Sequence, residues 1–130
     1  MSSDAETVIG YVFRGQGTQH IDYVGGDGHL HELWWAADGW HHNDLTTAAG
    51  AAAPFATSSP AGYAFEAGLF QPVATQHVMF TGHDEMVHEL WWREGAWHTN
   101  DIGALVGAPP IVGNPVAFVE VDEGWQNVFY

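Results

Sequence analysis

A glutamate and two tryptophans recur at one spacing twice in this chain. Glu32 is followed by Trp35 and Trp40, and Glu89 by Trp92 and Trp97 at the same intervals. A carboxylate beside indole faces is the pairing that a neutral sugar requires. Its CH groups stack on an aromatic ring, and its hydroxyls are held by a carboxylate or amide. The bland counterpart is that the indoles pack between layers and the glutamate sits on a solvated strand face. Trp34 and Trp91 are read as such packing residues. Asn43-Asp44 and Asn100-Asp101 carry ordinary turn chemistry, with side chains bonding to nearby backbone.

Histidine is the other recurrent group. His20, His31 and His41 match His77, His88 and His98, and His29, His42 and His83 stand outside the match. Fixed positions among tryptophans suit structural hydrogen bonding first, a donor to a sugar hydroxyl second, and a metal site with Asp44 or Asp101 last. No HExxH helix is present and there is no Cys, so no metal and no cofactor are expected. Serine occurs only at Ser2, Ser3, Ser58 and Ser59, none in a nucleophile context. The chain is read as a binding protein and not an enzyme.

Charge narrows the ligand further. The formal net charge is −14, with no Lys and only Arg14 and Arg93 as strong bases. Nucleic acid needs basic side chains to displace counterions, and anionic membranes need the same, so both are poor partners. The N-terminal MSSDAET has no apolar core of a secretory signal, and no run approaches the roughly 20 residues of a membrane span. A soluble protein without membrane insertion is expected, and its compartment is left open.

The elements that must position these residues follow from the repetition itself. Shifted by 57, Thr18–Leu45 meets Thr75–Ile102, with Thr-Gln-His, His-Glu-Leu-Trp-Trp, Trp-His and Asn-Asp all recurring. Pro115–Tyr130 repeats the entry of the first copy, Trp125–Tyr130 corresponding to Thr18–Tyr23. The second copy carries about five extra residues around Gly68–Ala74, which reads as a longer hairpin turn. Within the first copy the period is strand-like: Val8–Phe13, His20–Val24, Leu30–Trp35 and Trp40–Leu45, with Gly25–Gly28 as a turn. Alternation places Leu30, Glu32 and Trp34 on one face and His31, Leu33 and Trp35 on the other. Thr46–Ala53 admits a short helical turn before Pro54 ends it.

Four short antiparallel strands per copy make one blade of an all-β β-propeller. The expected order is blade 1 over about 8–45, a linker over 46–60, blade 2 over about 61–102, a linker over 103–114 and a partial third blade over 115–130. Propellers close with 4 to 8 blades. A homo-oligomer that completes the ring is therefore expected; the partial blade either supplies inter-chain strands or marks a fragment of a longer array.

Glu32-Leu-Trp-Trp35 followed by Asp38-Gly-Trp40 resembles the fungal and bacterial fucose-lectin propeller family, whose blades carry R-x-Y-x8-E-x-x-W-x4-W. Tyr23, Glu32, Trp35 and Trp40 match it in the first copy, and Phe80, Glu89, Trp92 and Trp97 in the second. The resemblance implies sugar pockets between neighbouring blades. It brings Asp44 and Asp101 near those pockets and implies short chains that assemble into one ring. The Arg of the pattern falls on Ile21, Val78 and Val128, so the guanidinium that fixes fucose in the family is missing. The expected function is a multivalent lectin for a neutral carbohydrate, fucose or another glycan. The alternative is a structural or protein-interaction propeller fragment without a sugar site.

Overall fold

The computed structural model describes residues 9–50, 56–57, 59–66, 73–111, 113–120 and 125–130. The N-terminal heptapeptide, Val8, the Ala-Pro stretch 51–55 and most of the expected long turn, 67–72, lie outside the described residues.

Among the described residues the chain is all-β apart from two single-turn helices. Strands β1 (Ile9–Phe13), β2 (Thr18–Val24), β3 (Leu30–Ala36) and β4 (Gly39–Asp44) form one antiparallel sheet in sequential order. After helix α1 (Leu45–Ala48), strands β5 (Ala61–Phe65), β6 (Thr75–Thr81), β7 (Val87–Arg93) and β8 (Ala96–Asp101) form a second. Helix α2 (Ile102–Val106) then leads to a hairpin of β9 (Val116–Glu120) and β10 (Trp125–Phe129).

The 57-residue offset carries into the strand register. Asp22 pairs with Glu32 and Trp35 with Trp40 in the first sheet; Met79 pairs with Glu89 and Trp92 with Trp97 in the second. The hairpin repeats the β1–β2 register, since Trp125 pairs with Glu120 as Thr18 pairs with Phe13. Sequence reading placed the strands to within one or two residues. It missed α2, which falls in the stretch 103–114 expected to be a plain linker. The signal was there: Asp101 caps the first turn through the Ala104 N–H, and Gly107 ends it at φ 65 in the left-handed region.

The sheets stack face to face in chain order. One face of the first sheet brings Leu30, with Leu45 of α1, against Val78, Phe80 and Leu90 of the second. The opposite face of the second sheet packs Ala61, Tyr63 and Met79 against Ala117 and Val128 of the hairpin. The first strand of each unit lies beside the next, β1 against β5 and β5 against β9. Gly62 in β5 permits that approach, because a Cβ there would collide with Asp22 and Tyr11. The Glu66 carboxylate also ties the two sheets, accepting from the Arg14 and Gly15 N–H groups of the β1–β2 turn at 2.6 and 2.8 Å.

Candidate functional site

The site grows from Glu32 at the centre of β3. Period-two alternation turns its side chain toward the second sheet, where only 2% of it remains exposed. Burying a carboxylate this far is costly unless it is hydrogen-bonded, and this one is bonded at both oxygens. Oε2 lies 2.8 Å from His20 Nδ1 and accepts from Gln76 Nε2 of β6, while Oε1 accepts from Asn43 Nδ2 at 3.1 Å. Gln76 also donates to the Tyr11 hydroxyl. His20 is fixed from its other side by Thr18 Oγ1 at 2.7 Å and stacks on Tyr11.

Gln76 shows which indoles belong to this carboxylate. It pairs across strands with Trp92, so both lie on the face of the second sheet that meets the first. Trp92 meets Phe13 edge-on, and Trp97 packs on the Leu30–Leu45 core. Glu32 therefore faces the Trp92–Trp97 pair of the next sheet. Trp35 and Trp40 stand on the other face of its own sheet, and the structure does not bring them to Glu32.

The second glutamate repeats the arrangement toward the hairpin. Glu89, also buried, lies 2.7 Å from His77 Nδ1 and accepts from Asn100 Nδ2 at 2.9 Å; Thr75 Oγ1 holds His77 from behind, and Tyr63 stacks on it. Burial and the Glu89 charge push the Tyr63 phenol well above its usual range. Trp34 and Trp91, read as packing residues, stack on His41 and His98 with ring centroids 4.0 and 4.3 Å apart. Their indole Nε1 atoms are buried without a hydrogen-bond partner.

Asp44 and Asp101 act as helix caps. Each carboxylate accepts from a backbone N–H of the following turn, Thr47 or Ala104, at 3.0 and 2.9 Å. Asp44 also takes the Thr47 hydroxyl and His29 Nδ1. These bonds outweigh desolvation and hold its carboxyl at about 2.

Sequence reasoning missed His20, Asn43 and Gln76 as partners of the glutamate, although Thr-Gln-His and Asn-Asp recur for this reason. It also missed Asp22. That residue is fully buried beside Glu32, and neither oxygen makes a hydrogen bond. Burial first, and the Glu32 charge second, push its carboxyl well above the usual range, with the nearby Tyr11 hydroxyl opposing. Met79 fills the equivalent place in the second sheet.

The two sheets differ in what covers them. Val78, Phe80 and Leu90 are sealed, whereas their counterparts Ile21 and Tyr23 are half-buried and Leu33 is 36% exposed. Trp92 and Trp97 are half-buried, whereas Trp35 and Trp40 are 39% and 60% exposed. The face that the second sheet turns to the first is thus open on the first sheet.

No protein-family model and no curated protein matches the chain. Among solved structures, the fold is similar to that of a fucose lectin from Kordia zhangzhouensis in complex with methyl-fucoside. The TM-score is 0.56 and the identity 21%, over 88% of this chain and 76% of that one. Among the described residues no helix is long and apolar enough to cross a membrane.

Proposed function

We propose that the chain is a carbohydrate-binding lectin whose sheets are blades of a β-propeller, with neutral sugars held at the rims between blades. The observation that carries this reading is the Glu32–Gln76 bond across the inter-blade boundary. It sets a carboxylate network of one blade against the Trp92–Trp97 pair of the next. The indoles supply the stacking wall, and the network supplies a polar floor. The unspent Trp34 and Trp91 N–H groups are donors for a ligand oxygen. Glu89 repeats this polar floor on the face turned to the hairpin, where Gln126 holds the sequence position of Gln76.

Completion of the ring by further copies follows from the uncovered Ile21–Leu33–Trp35–Trp40 face. Burying large apolar side chains is worth about 1.5–3 kcal/mol each, so that face favours a partner blade. Trp35 and Trp40 then become the wall of a pocket whose carboxylate comes from the neighbouring copy. Repeated weak sites give avidity on a glycan surface, which suits a lectin better than an enzyme.

The test is a glycan array, followed by calorimetry with methyl-fucoside and other methyl glycosides. Trp92→Ala should lower the number of sugars bound per chain by one while leaving the sedimentation coefficient unchanged. An intact assembly that binds no glycan would overturn the lectin. A second reading, an interaction scaffold without sugar, draws on one observation: both Glu32 oxygens are already engaged inside the chain.

A further inference from the structure

We propose that each four-stranded sheet carries a site for a divalent transition metal of the Zn2+, Ni2+ and Cu2+ class, at the end where the β2–β3 or β6–β7 turn meets the last strand. The first site is Asp27, His29 and Asp44; the second is Asp84, His88 and Asp101. In each trio one ligand atom per residue lies within 4.8 Å of the others. A tetrahedral ion with bonds of roughly 2.0–2.1 Å separates its donors by roughly 3.3 Å. Small side-chain rotations therefore close either trio on an ion, leaving a fourth position for water.

The donors are close and already oriented. His29 Nδ1 lies 2.8 Å from Asp44 Oδ2, and His88 Nε2 lies 2.9 Å from both Asp84 oxygens. In the first sheet His31 Nε2 stands 3.1 Å from Asp27, and its Nδ1 is 3.0 Å from His42 Nε2. His31 thus joins His29 beside the two carboxylates, and His42 backs His31 from its other nitrogen. One nitrogen donor with oxygen donors suits late first-row metals, whereas Mg2+ and Ca2+ take oxygen alone.

Two further observations separate this cluster from an ordinary acidic turn. The aspartates sit 57 residues apart in both sheets, yet the histidine comes from different places. Position 86, matching His29, is Met, and His88, matching His31, takes over the role. In both sheets the Asp–His pair at the turn, Asp27–His31 or Asp84–His88, closes over a glycine. A Cβ on Gly25 would meet Asp27 and His31 atoms at 2.7 Å, and one on Gly82 would meet Asp84 and His88 atoms at 2.8 Å. The room for the pair is kept in both copies by the absence of a side chain.

The proposal does not depend on sugar binding.

The full chain, stripped with EDTA and dialysed, is titrated with ZnCl2 by calorimetry at pH 7.5, with folding checked by circular dichroism. Two ions per chain are expected. Asp27→Asn and Asp84→Asn should each remove one, and the double variant both. His29→Gln tests the first site without touching the turn, and His41→Gln, outside both trios, should change nothing. The proposal is overturned if the double variant still binds two ions, if Ca2+ binds as tightly as Zn2+, or if His41→Gln loses an ion.

Discussion

Glu32→Ala tests whether the inter-sheet network is structural as well as functional. The carboxylate holds three donors: His20 and Gln76, each 3% exposed, and half-buried Asn43. Alanine leaves the first two facing a dry interface with no acceptor. Each stranded buried donor costs about 1–3 kcal/mol, so the two together cost about 2–6 kcal/mol. A chain of this size loses roughly 4 °C of melting temperature per kcal/mol. The expected drop is therefore about 8–24 °C, read by circular dichroism during a thermal ramp. Glu32→Gln keeps the volume and one acceptor and should fall about half as far. Asp38→Asn, fully exposed, should not move the midpoint measurably. If Glu32→Ala melts within about 3 °C of the parent, the network carries no stability and the derivation fails.

Asp22 should make stability depend on pH in the sense opposite to a paired carboxylate. Its folded-state value is raised, so its contribution is whole in acid and fades as pH rises above the unfolded value near 4. Asp22→Asn should therefore gain on the parent in urea melts as pH goes from about 5 to 8; a constant gap would refute this. Gly62→Ala should destabilise by about 1–3 kcal/mol through overpacking between β1 and β5, and an unchanged melting point would show that the strands separate freely. Trp97→Ala should cost about 2–4 kcal/mol because its indole packs on the Leu30–Leu45 core. Trp40→Ala should instead lower the assembled mass in analytical ultracentrifugation with little change in the melting point; equal thermal losses would contradict the difference in cover.

The strands and their antiparallel order were legible in the sequence, because each depends on neighbours along the chain. A two-residue period at Leu30–Trp35, a Gly-rich turn at Gly25–Gly28 and a pattern that returns after 57 residues suffice to place them, and the structure adds the register that pairs Glu32 with Asp22 and Trp35 with Trp40. The capping of α1 by Asp44 and of α2 by Asp101 is equally local.

What the sequence could not decide is which surfaces meet. Glu32 and Trp35 are three residues apart and so leave the strand on opposite sides. The indoles that face Glu32 are Trp92 and Trp97, and only stacking one sheet on the next selects them. Stacking likewise makes Gln76 a partner of Glu32 while its counterpart Gln19 stays exposed, and it buries Asp22 with only the Tyr11 hydroxyl nearby. The physical reason is one of range. Backbone pairing and turns are fixed by residues a few places apart, whereas burial and hydrogen-bond partners across a sheet boundary depend on how whole sheets pack. The repeated glutamate and tryptophans were therefore readable as a motif, and the tertiary structure alone decided which tryptophans share a sheet boundary with which glutamate.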